Sequence, residues 1–95
     1  MSEEHGHRTI KSVDTACRLV KLLRERREAT VSSLADDLDL TPGTVHTHLA
    51  TLKDHGLVVQ GSEGYRLGPR FLTLGEFVRN HSDLYQAAKE EIESL

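Results

Sequence analysis

Apolar residues recur at helical spacing almost from the start of the chain. Val13, Ala16, Cys17, Val20 and Leu23 follow at intervals that keep to one stripe, so a first helix is predicted over 12–28 with that stripe buried. Ser12 is its expected N-cap, and Arg24, Arg26 and Arg27 fall in its last turns, where cations suit the helix dipole. In the next segment, ATVSSLADDLDL, Ser32 or Ser33 is expected to cap a short second helix. Its inner face is Leu34, Ala35 and Leu38, and its outer face Asp36 and Asp37. Leu40-Thr41 then turns the chain, Thr41 caps a third helix and Pro42 takes its first position, its missing N–H costing nothing. Val45, Leu49 and Leu52 share one face of this helix, which is expected to end near His55, with Gly56 just beyond it.

After Gly56 the period shortens. The stretch LVVQGSEGYRLG offers two short β-rich runs around Gly61-Ser62-Glu63-Gly64, a hairpin signal. The remainder predicts a short amphipathic helix over Phe71, Leu72 and Leu74. A charged helix carrying Phe77, Leu84, Tyr85, Ala88 and Ile92 follows. The expected fold is mainly α with a small β-hairpin: a winged helix-turn-helix, built from a three-helix core plus a wing, with a C-terminal linker helix. Residues 1–8 form a flexible arm in this reading, 9–75 the folded domain, and 76–95 a linker and dimerisation helix.

The third helix carries the chemistry. Opposite its buried stripe lie Gly43, Thr47, Ala50 and Asp54, with Thr44, Thr51 and His46 on the flanks. So small a face contributes little to packing, but lets a partner come close. In a helix-turn-helix the second helix of the motif enters the DNA major groove, and threonine can meet a thymine methyl or any base edge through its hydroxyl. Gly43, Thr44, His46 and Thr47 are therefore the expected base contacts. Ser32, Ser33 and Thr41, at helix starts with unpaired N–H groups, are expected to bind phosphates, joined by Arg8, Lys11 and Arg66. The wing carries Glu63 and no cation at its tip, which argues against deep insertion into the minor groove.

Three stretches together, SVDTACRLVKLL, SSLADDLDLTPGTVHTHLATLKDHGLV and YRLGPRFLTLG, resemble the N-terminal winged helix-turn-helix DNA-binding domain of the IclR family of transcriptional regulators. The likeness covers about Thr9 to Arg79. It implies a sequence-specific regulator that binds a palindromic operator as a homodimer and occludes or recruits the transcription machinery. It also implies a linker helix leading to an effector-binding domain, so a small-molecule effector is expected only if a further C-terminal domain follows. Leu84, Tyr85, Ala88 and Ile92 are the expected dimer interface. Two positions depart from the family's pattern: Thr47 stands where an arginine is frequent, and His48 where a leucine is.

Composition narrows the partners. A formal charge of −3 over 95 residues means that DNA binding must rest on local charge rather than bulk charge. Cys17 is the only cysteine, so there is no intrachain disulfide, and a cytoplasmic location is expected. No metal site is expected: His46 and His48 diverge by about 200° around the helix, and His5 and His7 lie in the arm. No catalytic constellation, cofactor motif or membrane span is present. The competing reading is a winged-helix adaptor that binds protein instead of DNA.

Overall fold

The computed structural model describes residues 7–93, except for the side chains of Ser82, Leu84, Tyr85 and Glu93. Five helices and a hairpin follow in the order α1 (Lys11–Arg26), α2 (Val31–Leu38), α3 (Pro42–Asp54), β1 (Val58–Gln60), β2 (Tyr65–Leu67), α4 (Arg70–Asn80) and α5 (Ser82–Glu93). The expected winged helix-turn-helix is present: α1, α2 and α3 enclose the core, and the antiparallel β1–β2 ribbon forms the wing, with Val59 opposite Arg66. Leu19 and Leu23 of α1, Leu34 and Ala35 of α2, Val45, Leu49 and Leu52 of α3, and Val58 and Tyr65 of the ribbon meet at its centre.

The first helix faces differently from the expected stripe. Thr15, Leu19 and Leu23 are its buried residues, whereas Val13 is 56% exposed and Cys17 is exposed. The helix is turned by roughly a quarter revolution from the predicted orientation, at 100° per residue. Leu23 of the expected stripe is buried, and it is joined by Leu19, which removes more apolar surface from water than either Val13 or Cys17 would. The displaced stripe of Val13, Ala16, Cys17 and Val20 instead lines an open apolar groove of about 690 Å³ against α3 and Phe71. The cap also differs, because Ile10 occupies the N-cap position without a side-chain bond and Ser12 lies inside the helix.

Elsewhere the turns explain the boundaries. Thr30, extended at φ −83° and ψ 161°, caps α2 by accepting from the Ser33 N–H at 3.1 Å, so neither Ser32 nor Ser33 is the cap. Asp39 closes α2 in the left-handed region, φ 56° and ψ 48°. Gly56, φ 74°, follows α3 as expected. The C-terminal segment breaks at His81 rather than near residue 76. Nδ1 of His81 donates to the Phe77 carbonyl at 2.8 Å, and its ring lies 4.2 Å from that of Phe77. Phe77 therefore belongs to α4 rather than to the charged helix, and the two expected C-terminal helices are present with their boundary moved to His81.

Arg27 ends α1 at φ 72° and ψ −50°, a strained γ-turn geometry for any residue with a Cβ. Such conformations cost of order 1–3 kcal/mol, less for glycine. Arg27→Gly is thus expected to stabilise the domain by about 1 kcal/mol in urea unfolding followed by circular dichroism. Unchanged or lower stability would show that the arginine side chain compensates for the strain.

Candidate nucleic-acid interface

The start of α3 is built by its own sequence. Thr41, extended at φ −75° and ψ 150°, accepts from the Thr44 N–H at 3.2 Å, and its hydroxyl lies 2.9 Å from that of Thr44. The Thr41 carbonyl takes the Val45 N–H at 3.1 Å. Pro42 has no N–H, so the Gly43 N–H is left open in the first turn. Gly43, His46 and Thr47 are exposed and Thr44 is half-buried. A methyl added at Gly43 would meet nothing within 4 Å. The structure therefore places all four expected base-contact residues on the outer side of the first two turns of α3. His48 lies on the inner flank, half-buried, with Nδ1 donating to the Thr44 carbonyl at 2.7 Å. Its other ring nitrogen is buried without a partner.

The expected phosphate binders are spread over several elements. Ser32 is exposed at the start of α2, where the N–H groups of Val31 and Ser32 remain open. Ser33 is more committed, since its N–H serves the Thr30 cap and its hydroxyl accepts from Arg26 at 3.2 Å. Arg26 also pairs with Asp37. Arg26, in the last turn of α1 as expected, thus also braces α1 against α2 through Asp37 on the outer face of α2. Arg8 in the arm, Lys11 at the start of α1 and Arg66 on β2 are all exposed.

Two features of the wing were not visible in the sequence. Ala29 pairs with Tyr65 through two backbone hydrogen bonds, at 2.9 and 2.8 Å, adding a one-residue third strand beside β2. Glu28 reaches across the turn and accepts from the Glu63 N–H at 3.2 Å. The wing tip therefore carries two carboxylates, with the Arg66 guanidinium close to that of Glu28 beside Gly61. Where β1 enters the turn, Lys53 of α3 donates to Gln60 at 3.2 Å. That bond ties the wing to the helix it flanks.

Residues 14–59 match the helix-turn-helix model described as bacterial regulatory protein, arsR family. The chain is 40% identical over 89 residues to a probable HTH-type transcriptional regulator, ArcR, of Halobacterium salinarum. That match covers 93% of this chain and 34% of the relative. It is 34% identical to the HTH-type transcriptional regulator XynR of Escherichia coli, over 84% of this chain and 33% of that protein. The chain thus spans about a third of the length of these relatives. Among solved structures, an IclR transcriptional regulator from Alicyclobacillus acidocaldarius superposes with a TM-score of 0.77 at 31% identity, over 88% of this chain and 35% of that one. No helix among the described residues is long and apolar enough to cross a membrane. Fold, matched segment and relatives agree that this chain carries a winged helix-turn-helix domain of the type found in DNA-binding transcriptional regulators.

Proposed function

We propose that the chain is the DNA-binding part of an IclR-type regulator that recognises a palindromic operator as a homodimer. One observation carries this reading: the exposed first two turns of α3, capped by Thr41, present Gly43, Thr44, His46 and Thr47 with no bulky side chain in the way. The likeness to an IclR transcriptional regulator over 88% of the chain supports the finer family assignment. Binding of the chain to random-sequence duplex pools, measured by anisotropy at several salt concentrations, tests it. Enrichment of a palindromic sequence is the expected result, and retention of no duplex at low salt would overturn it. One observation favours the alternative, a protein-binding adaptor: the carboxylates of Glu28 and Glu63 at the wing tip.

Phosphate contacts have their own signature. Arg8, Lys11 and Arg66, with the open N–H groups near Ser32, Ser33 and Thr41, position the duplex rather than read it. Replacing the three basic residues by alanine is expected to weaken binding to all sequences alike. It should also lower the slope of log affinity against log salt by about three, one per lost contact. An unchanged slope would mark them as ordinary surface charges.

Dimerisation answers a geometric need, since paired recognition helices must sit about 34–36 Å apart on DNA. Apolar side chains with no cover also support it: Ile10 is 67% exposed, Val13 56%, Phe77 54% and Ile92 69%. Ala88 is half-buried, and the side chains of Leu84 and Tyr85 lie outside the described residues. Cys17, exposed in the groove beside Val13, is a built-in reporter. Its reaction with a maleimide should slow as protein concentration rises from nanomolar to high micromolar, in step with dimer formation by sedimentation. A dimer that leaves the rate unchanged would exclude the Val13 and Cys17 side of the groove from the interface; its α3 side, which includes Thr47 and Thr51, is left to DNA.

A further inference from the structure

We propose that the outer surface of α3 reads thymine methyl groups and exocyclic amino hydrogens and does not read guanine, with Thr47 as the specificity-determining residue. The inference rests on the DNA-binding reading above and extends it to base chemistry. Guanine is read chiefly by arginine or lysine bridging O6 and N7, and adenine by asparagine or glutamine. From Pro42 to Thr51 the helix has none of these four residue types. What it exposes is Gly43, His46, Thr47, Ala50 and Thr51.

The hydroxyl protons of the two exposed threonines are already spent, whereas half-buried Thr44 accepts from the Thr41 hydroxyl and keeps its own. Thr47 Oγ1 donates to the Gly43 carbonyl at 3.0 Å, and Thr51 Oγ1 donates to the Thr47 carbonyl at 3.1 Å. A hydroxyl has one proton and two lone pairs, so what Thr47 offers to a partner is a methyl group and an acceptor oxygen. In the major groove the matching features are the thymine C5-methyl and the amino hydrogens of adenine N6 and cytosine N4. Guanine presents two acceptors there, which an acceptor oxygen cannot satisfy. Ala50, three residues on, adds a second methyl. His46 can supply one N–H, which cannot bridge both guanine acceptors. Gly43, one turn before Thr47, lets the helix approach closely enough for so short a side chain to reach a base edge.

The test begins with the tightest duplex selected by the chain from a random pool. Each half-site thymidine is replaced singly by deoxyuridine, which lacks only the methyl, and each guanosine by 7-deazaguanosine, which lacks the N7 acceptor. Deoxyuridine is expected to weaken binding about fourfold at each contacted position, the worth of one buried methyl. The guanosine replacements should change affinity by less than about twofold on the same scale. Thr47→Ser keeps the hydroxyl and its backbone bond but loses the methyl, so it should bind the thymidine duplex about fourfold less tightly and lose discrimination against deoxyuridine. Neutral deoxyuridine replacements, a tenfold loss from any 7-deazaguanosine, or full deoxyuridine sensitivity in Thr47→Ser would each overturn the proposal while leaving DNA binding intact. A chain that selects no duplex overturns the DNA reading and this inference together.

Discussion

Gly64→Ala is expected to destabilise the domain by on the order of 3 kcal/mol, and to loosen the wing before the helices. Gly64 sits at φ 145°, and a Cβ there would lie 2.4 Å from the Ala29 carbonyl oxygen and 2.7 Å from its carbon. An L residue in that region of backbone space carries strain of about 1–3 kcal/mol. The overlap cannot be relieved by rotating a side chain, because the obstructing atoms are backbone. Moving Ala29 away would break the two bonds that join it to Tyr65, and Tyr65 is part of the buried core. The Gly64 carbonyl also accepts from the Gly61 N–H at 2.7 Å, so the same shift would open the turn. Against a typical stability of roughly 0.05–0.15 kcal/mol per residue, the loss would be a large fraction of the total. Urea unfolding followed by helix circular dichroism measures it, and amide exchange at Tyr65 locates it. A change below about 1 kcal/mol would mean that the hairpin can refold around an alanine.

The wing therefore depends on the segment after α1 as much as on its own two strands. Ala29 pairs with β2, Glu28 holds the turn, and Tyr65 carries the hairpin into the core. A two-stranded ribbon alone is marginal in water. This one gains a third partner and a buried aromatic. Because Val58 and Tyr65 share the core with Leu49 and Leu52, and the Leu57 N–H donates to the Leu52 carbonyl, the wing is held against the helix proposed to enter the groove.

The parts of this fold that were legible in the sequence are those settled within a few residues. The Thr41-Pro42 start of α3, its Val45, Leu49 and Leu52 face, and the glycines bounding the hairpin are local signals, and each matches the structure. The facing of α1 was misread because apolar residues lie on two sides of that helix. Only its partners decide between the leucine side and the Val13–Cys17 side, and the buried Thr15 disguised the true stripe. The cap of α2 was ambiguous for a similar reason: Thr30, Ser32 and Ser33 all have capping side chains, and the backbone at Thr30 chooses among them. Glu28 and Glu63 are 35 residues apart, and no local pattern links them. The outer face of α3 was readable as small and exposed. That the Thr47 and Thr51 hydroxyls have already donated their protons follows only from the folded geometry.

Gly43 separates folding from binding most cleanly. It occupies the second position of α3, is exposed, and has open space where a side chain would go. Nothing in the fold requires glycine there, and glycine within a helix costs up to about 1 kcal/mol relative to alanine. Gly43→Glu should therefore stabilise the domain, by about 1 kcal/mol, through better helix propensity and a carboxylate near the positive end of the helix dipole. The same change places a negative charge and three added methylene and carboxyl groups where the helix is proposed to approach phosphates and base edges. Like-charge juxtaposition in a closed interface costs several kcal/mol, so affinity for the selected duplex is expected to fall on the order of a hundredfold, about 2.8 kcal/mol at 1.4 kcal/mol per decade. Gly43→Ala should share the gain in stability and show a smaller loss in binding, since it adds bulk without charge. Thermal melts and anisotropy titrations on the three proteins give both quantities. Opposite signs for stability and affinity would assign this glycine to the approach of DNA. Retention of affinity within about twofold by Gly43→Glu would place the start of α3 away from the duplex and remove the basis for base contacts at Thr44, His46 and Thr47.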